Sequence, residues 1–213
     1  MPERSLSDQR EIEKLKYKHA YKAVNYEMRK FRLKYFIQWA DEIAPMFTTG
    51  DKHGMTWDSV LDVGCGRAQA IDMLKKRGAK KIQGIDFIPE LKRPDVSIID
   101  GAHSLPFDDN QFDLVMCLDV AEHLIEEEVI PVFKELFRVA KKAIRLEISH
   151  RKDVGDGPHG HLHITVYPRE WWINNILLPL MPNGARWKIE KDQEPKMNLH
   201  TRMTITLQEG YIK

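Results

Sequence analysis

The stretch Val60-Leu61-Asp62-Val63-Gly64-Cys65-Gly66-Arg67-Ala68 decides the fold, because an apolar strand runs directly into a turn with two glycines and then into a helix. Glycines at such a turn let the backbone bend sharply and let a ligand approach the amide groups without a Cβ in the way. About 20 residues further on, a second apolar strand ends at Ile85-Asp86 and places a carboxylate at the same edge of a sheet. This pattern predicts a nucleotide-type site at the carboxyl ends of two parallel strands.

Strand and helix patterns alternate from this turn onward. Strand patterns occur at 59–63, 81–85, 96–99, 112–118 and 142–149, helical patterns at 68–77 and 127–140, and the tail adds a helix at 168–180 and strands at 186–191 and 201–208. Short apolar strands that alternate with helices indicate a parallel sheet covered on both faces. We therefore predict an α/β fold: a Rossmann-like, seven-stranded, mostly parallel sheet with helices on both faces, an antiparallel last strand and an N-terminal helical cap.

The segment before the sheet differs in character. Residues 1–10 are polar and are expected to fray, whereas residues 11–43 carry aromatic side chains at helical spacing. Residues 14–34 hold eight basic residues and one acid. We expect residues 1–56 to form a basic helical cap and linker, and residues 57–213 to form the main domain.

The composition is that of an average globular protein. The chain has 213 residues, of which 42% are hydrophobic and 31% charged, and this excludes the collagen-like and wholly disordered classes. Its 33 lysines and arginines against 32 acids create no global field that commits the protein to nucleic acid or membrane. The chain has only two cysteines, which favours a cytoplasmic protein without disulfides. It contains no apolar run of about 18 residues and no apolar N-terminal core, so we expect neither a membrane span nor a signal peptide.

The glycine turn departs from a dinucleotide site. Gln69 stands where the G-x-G-x-x-G fingerprint requires its third glycine, so pyrophosphate binding is disfavoured and a ligand with an adenosine and no phosphate fits better. With four motifs in order over residues 59–149, the chain resembles the class I S-adenosylmethionine-dependent methyltransferases. The compact size and the lack of a recognisable RNA-binding domain favour the branch that methylates hydroxyls of small molecules or saccharides.

The resemblance assigns a cofactor site. It implies that Asp62 and the glycine turn face the methionine end of S-adenosylmethionine, and that Asp86 binds the ribose hydroxyls. In the family an aspartate-alanine-x-x-leucine-proline-phenylalanine motif flanks the adenine. Here Asp100 stands one residue early, so two contacts stay open: the backbone amides of Ala102 and His103, and Asp100 on the exocyclic amine. The strand 112–118 matches the fourth motif, and its end points at the reacting methyl. The cofactor-binding candidates are Asp62, Gly64, Cys65, Gly66, Asp86, Phe87, Gly101, Ala102, His103, Leu118 and Asp119.

The acceptor side follows the fourth motif. Methyl transfer is an in-line displacement at a sulfonium, so the protein must align the acceptor and, for a hydroxyl, remove its proton. Leu118-Asp119-Val120-Ala121-Glu122-His123-Leu124 offers two carboxylates and an imidazole, and it resembles the acid-x-x-Glu-His of metal-dependent small-RNA ribose 2'-O-methyltransferases. His161 and His163 alternate in an acceptor-side loop around 150–172, so they share one face of an extended chain. The catalytic candidates are Glu122, His123, His161 and His163, and the candidate ligands of Mg²⁺ or another divalent cation are Asp119, Glu122, His123 and His163.

A structural interpretation of these residues stays open. In it, Glu122 caps a helix and the histidines only form hydrogen bonds in a substrate loop. Gly155, Gly157 and Gly160 with Pro158 predict a mobile lid over the acceptor. One tryptophan of the adjacent pair 171–172 is expected in the core, because neighbours on a helix point apart. Tyrosines of the cap at helical spacing favour packing over stacking on a base or sugar.

Three functions remain open. The first is transfer of a methyl group from S-adenosylmethionine to a hydroxyl of a small metabolite or saccharide, with or without a metal. The second is RNA ribose 2'-O-methylation, in which the basic helix tracks phosphates. The third is a catalytically silent domain that binds the cofactor and serves a partner protein. The sequence leaves the acceptor, the metal and the oligomeric state undetermined.

Overall fold

The computed structural model describes residues 5–23, 30–50, 56–153, 160–190 and 200–207. The helices are α1 (Leu6–Ala23), α2 (Lys30–Ile43), α3 (Gln69–Lys75), α4 (Glu126–Val139) and α5, which joins Arg169–Trp171, a π-helical segment Trp172–Leu177 and Leu178–Leu180. The strands are β1 (Ser59–Val63), β2 (Lys81–Asp86), β3 (Val96–Ile98), β4 (Phe112–Leu118), β5 (Ala140–Ser149), β6 (Arg186–Ile189) and β7 (His200–Thr206). Short 3-10 turns lie at Ala44–Phe47, Pro89–Leu91 and Ala121–His123.

The described strands form one seven-stranded sheet in the order β3-β2-β1-β4-β5-β7-β6. β1 to β5 pair in parallel, whereas β7, the last strand of the chain, runs antiparallel between β5 and β6. The carboxyl ends of β1, β2 and β4 therefore meet at one edge, with the first residues of β7 beside them. The predicted fold class is confirmed.

Helices cover both faces of the sheet, as strands that are apolar on both faces require. On one face α4 and α5 bury Phe133, Leu136 and Trp172 against the strands. Trp172 is 1% exposed while Trp171 stacks on Tyr167 with ring centroids 3.8 Å apart, which confirms that one tryptophan of the pair belongs to the core. On the other face α2 and α3 contribute a second apolar cluster.

The turn after β1 needs its glycines. Gly64 and Gly66 have φ of +71° and +52°, a region that side chains rarely adopt. A Cβ on Gly64 would also lie 2.5 Å from Cγ2 of Val120, so the loop after β4 packs directly on the turn. The N–H of Gly64 donates to the carbonyl of Ile85 at 2.9 Å, which ties the turn to the end of β2.

The N-terminal helices take two different positions. Residues 1–10 were expected to fray, but α1 begins at Leu6. The helix is capped there, because the N–H of Asp8 donates to Ser5 Oγ at 3.2 Å. α2 packs into the second core cluster, and the domain boundary at residue 56 stays a prediction. Of the predicted lid residues, Gly155, Gly157 and Pro158 lie outside the described residues, and Gly160 is described with a φ of +90°; the lid stays a prediction. In the part of the chain that is described, no helix is long and apolar enough to cross a membrane, and the cytoplasmic location stays a prediction.

Candidate active site

Asp86 joins the first two strands at the carboxyl edge of the sheet. Its Oδ2 accepts the N–H of Gly66 at 2.9 Å, and its Oδ1 accepts the N–H groups of Phe87 and Ile88 at 2.8 and 3.1 Å. Burial raises the pKa of this carboxyl, and the three N–H donors oppose the increase. A carboxylate oxygen accepts two hydrogen bonds, so Oδ2 retains a lone pair for a ligand hydroxyl.

Asp62 is the next-to-last residue of β1, lies close to Asp86 and is 3% exposed. Burial, and secondarily the negative charge of Asp86, raise its pKa from 3.8 to about 8. A cation placed near two buried acids favours their ionised forms and is itself stabilised by them. The site is therefore electrostatically suited to the positively charged methionine end of the predicted cofactor.

Cys65 has a structural role in this turn. Its N–H donates to the carbonyl of Ile85 at 3.1 Å, and its Sγ would lie 2.6 Å from a Cβ on Gly84. Burial raises the pKa of the thiol, which keeps it protonated and unreactive. The structure thus commits both the amide and the side chain of Cys65 to packing, and a role in cofactor binding stays a prediction.

The predicted adenine segment follows β3. Asp100 points to α1, where Lys14 Nζ donates to its Oδ1 at 2.6 Å and lowers the pKa of that carboxyl. His103 folds back so that its Nδ1 would lie 2.7 Å from a Cβ on Gly101, and this nitrogen is 3.4 Å from Glu128 Oε1. Ala102 packs against the core. The adenine contacts of this segment stay predictions, and its one predicted acid is already paired.

The end of β4 is strained where the chain leaves the sheet. Asp119 has a φ of +55°, and its N–H donates to the carbonyl of Glu147 at 2.8 Å. The preceding Leu118 is half-buried. A left-handed conformation at a non-glycine residue is unfavourable, and it turns the following segment back over the edge of the sheet.

That segment brings three candidate residues together. Glu122, His123 and His163 each place one ligand atom within 4.8 Å of the others, and the two imidazoles meet edge to face with centroids 4.6 Å apart. The N–H groups of Ile164 and Thr165 donate to the carbonyl of Glu122 at 2.9 and 3.0 Å, which holds the loop with His163 against the end of β4. Glu122 itself is fully buried.

Backbone carbonyls orient both imidazoles. Nδ1 of His123 lies 3.0 Å from the carbonyl of Leu162, and Nδ1 of His163 lies 2.7 Å from the carbonyl of Arg151. A carbonyl only accepts, so each Nδ1 carries the hydrogen and each neutral ring keeps its lone pair on Nε2. This is the arrangement of imidazoles that act as bases or as metal ligands.

Two predicted residues lie outside this group. His161 is half-exposed, and its Nδ1 is 2.9 Å from Asp153 Oδ1. Asp119 falls into a second group with Glu147 and His200, in which the ligand atoms are again within 4.8 Å of each other. The structure therefore brings together three of the four predicted metal ligands.

The sequence analysis did not identify Glu147, His200 or Arg202 as site residues. Arg202 Nε donates to Glu147 Oε1 at 3.0 Å, and its guanidinium lies 4.5 Å over the ring of Tyr35. A signal was present, because charged residues within two strands of a covered sheet need partners where they are buried. Since Glu147 is already paired with Arg202, we interpret this second group as an ion-pair network that fixes β5 to β7.

Among the described strands, the order, the one antiparallel strand and the glycine turn match the fold that the class I methyltransferases share. Comparisons with known proteins agree: residues 61–146 match a family model described as a methyltransferase domain. A curated relative, 2-methyl-6-phytyl-1,4-hydroquinone methyltransferase of Synechocystis sp., is 36% identical over 93 residues, which cover 39% of this chain and 29% of the relative. The chain thus spans less than a third of the length of this relative.

Solved structures share the fold at low sequence identity. A protein of Pyrococcus horikoshii superposes with a TM-score of 0.63 and 15% identity, covering 88% of this chain and 98% of the other. The 1,6-didemethyltoxoflavin-N1-methyltransferase of Burkholderia thailandensis has a TM-score of 0.60 and 14% identity, covering 97% and 91%. These neighbours show the fold of the chain, and residues 61–146 are similar to a methyltransferase domain.

Proposed function

We propose that the protein transfers the methyl group of S-adenosylmethionine to a hydroxyl of a small metabolite or saccharide. The observation that carries this proposal is the group of buried Glu122 and half-buried His123 and His163, whose imidazoles are oriented by backbone carbonyls at Nδ1. In a class I fold this strand end faces the reacting methyl. A hydroxyl is a poor nucleophile until its proton is removed, and imidazole is the side chain that most often serves as the general base for such a step.

The reaction needs little else from the protein. The carbon–sulfur bond of the sulfonium breaks while the bond between the methyl carbon and the acceptor oxygen forms, and the hydroxyl proton passes to an imidazole Nε2. The products are the methyl ether and S-adenosylhomocysteine. The fixed positions of the rings contribute through orientation, because His163 is held to the end of β4 by backbone hydrogen bonds.

The same three residues fit a divalent cation. A buried carboxylate with two imidazoles, each oriented by a carbonyl on Nδ1, is a donor set that Mg²⁺, Mn²⁺, Zn²⁺ or Fe²⁺ accepts. Glu122, His123 and His163 would hold such an ion, which would supply a lower pKa for an acceptor hydroxyl. Asp119, the fourth predicted ligand, groups with other residues.

Two features support a small acceptor over RNA. The curated relative is named for a hydroquinone and one structural neighbour for a toxoflavin precursor, both small organic acceptors. Charge points the same way, since Lys14, Lys16 and Lys18 of the basic helix pair with Asp100, Glu13 and Glu90. Lysines already neutralised by carboxylates contribute little to phosphate binding.

The test is transfer of labelled methyl from S-adenosylmethionine into a cell extract that is separated into RNA, glycan and small-molecule fractions. We expect label in the small-molecule or glycan fraction, and we expect His163→Ala to abolish it. Label confined to RNA would replace this acceptor class with the ribose hydroxyl. An extract without label, from protein that binds the cofactor, would favour the silent domain. A parallel series with EDTA, restored by added Mn²⁺, determines whether a metal takes part.

A further inference from the structure

Tyr17 of α1 lies over the carboxyl end of β1. Its ring centroid is 5.5 Å from Phe87, which follows β2, and 5.4 Å from His123, which follows β4. β1 is the strand between β2 and β4. The Tyr17 ring therefore lies between the residues that follow the two neighbours of β1 in the sheet. Tyr17 thus faces the end of β1, where Asp62 and the glycine turn lie.

Tyr21 covers the neighbouring part of the turn. It is one helical turn from Tyr17 and therefore shares its face of α1. Its hydroxyl would lie only 2.7 Å from a Cβ on Gly66. The carbonyl of Tyr21 accepts a hydrogen bond from Arg67 at 3.2 Å. One face of α1 therefore forms the roof of the predicted cofactor site.

Charged contacts on both sides fix α1 in this place. Arg10 pairs with Glu128 of α4 at 2.5 Å, and Lys14 pairs with Asp100 after β3 at 2.6 Å. Nζ of Lys16 donates to the carbonyl of His161 at 3.1 Å. These partners belong to three separate loops or helices around the edge of the sheet. The position of the Tyr17 ring is therefore determined by the surrounding fold as well as by its own packing.

We propose that Tyr17 is a cofactor-recognition residue whose ring contacts the sulfonium of S-adenosylmethionine and distinguishes it from the product thioether. This inference rests on the proposed function. An aromatic ring attracts a cation through its quadrupole, and the attraction is stronger where water is excluded. Tyr17 is 8% exposed, and the acids Asp62 and Asp86 are buried at the same edge of the sheet, where an ionised carboxylate would stabilise the same positive charge. S-adenosylhomocysteine carries no sulfonium, so methyl transfer removes this contact and favours release of the product.

The test compares two ligands that differ by the charged methyl. Affinities of S-adenosylmethionine and S-adenosylhomocysteine are measured by calorimetry on the full chain, without acceptor, for the wild type, Tyr17→Phe and Tyr17→Leu. We expect Tyr17→Leu to weaken S-adenosylmethionine about tenfold and S-adenosylhomocysteine less than about threefold. Tyr17→Phe keeps the ring and is expected to retain both affinities. Phe47→Leu, which removes a ring from an aromatic pair with Trp57 in the second core cluster, is the matched control.

Other outcomes overturn the inference. Equal losses for the two ligands would mean that Tyr17 only packs, and unchanged affinities would mean that the ring does not contact the cofactor. A wild type that binds neither ligand would refute the proposed function, and the inference with it. If Tyr17→Leu does not fold, a pentafluorinated phenylalanine at position 17 keeps the shape of the ring and reverses its charge distribution. A selective loss of S-adenosylmethionine affinity then supports the inference, and its absence refutes it.

Discussion

Replacing Asp62 by asparagine should stabilise the protein without cofactor at alkaline pH. The carboxyl is buried at the end of β1, and its pKa in the folded state is about 8, whereas the unfolded chain has a value near 3.9. Between these values the folded state binds a proton that the unfolded state has released. Stability from this group is therefore fully present below about pH 4 and is lost as the pH rises towards 8.

The size of the effect follows from the same numbers. A pKa difference of one corresponds to about 1.4 kcal/mol, so a difference of about four costs the folded state about 6 kcal/mol once Asp62 is ionised. Asparagine has nearly the same shape and does not ionise. We expect Asp62→Asn to exceed the wild type in free energy of unfolding by several kcal/mol at pH 8 and by little at pH 4.5.

Urea denaturation without cofactor, repeated from pH 4.5 to 8.5, measures this difference. Asp108→Asn, at an exposed position, controls for the removal of one carboxylate. S-adenosylmethionine should flatten the pH dependence of the wild type, because its positive charge favours the ionised carboxylate. The same substitution should weaken cofactor binding. A difference between Asp62→Asn and the wild type that stays constant within about 0.5 kcal/mol over the whole range would refute the electrostatic argument.

Three further changes test other parts of the molecule. Gly64→Ala should lower the free energy of unfolding by about 2 kcal/mol or more, because alanine is strained at φ +71° and its Cβ would meet Val120. Thermal unfolding measures this loss, and adding Val120→Ala should restore part of it. His163→Ala should lower kcat about 100-fold and change the affinity for S-adenosylhomocysteine little. His161→Ala should retain most of the activity. Equal losses of activity in the two variants would contradict the different roles given to these histidines. Arg202→Met should lower the free energy of unfolding by about 3 kcal/mol, because it leaves the buried Glu147 without its cationic partner. Denaturant unfolding measures this, and a loss below about 0.5 kcal/mol would show that the pair is not important for stability.

Local patterns were sufficient to predict the sheet. β1 and β4 occupy the predicted residues, and the remaining strands differ by one or two residues at their ends. An apolar strand, its glycine turn and the following helix are all neighbours in sequence, so their pattern is visible without tertiary contacts. The largest error at the N-terminus concerns α1, which begins at Leu6. A capping signal was present there, since Ser5 stands three residues before Asp8.

The candidate site was predictable only in part. Glu122 and His123 are adjacent in sequence, and the strand before them indicated their place at the edge of the sheet. Nothing local distinguishes His163 from His161, because both alternate on the same short segment. The hydrogen bonds between the carbonyl of Glu122 and residues 164–165 place His163 in the group, and they join segments about 40 residues apart.

The sequence by itself determined the α/β class, the glycine turn and the acids at the strand ends, because each depends on residues close together in the chain. Only the tertiary structure decided that α1 lies across the edge of the sheet and that Tyr17 stands between Phe87 and His123. Helical spacing shows which aromatic residues share one face of a helix, but it does not show which part of the protein that face contacts. That depends on ion pairs and packing between segments about 100 residues apart, which form only when the whole chain has folded.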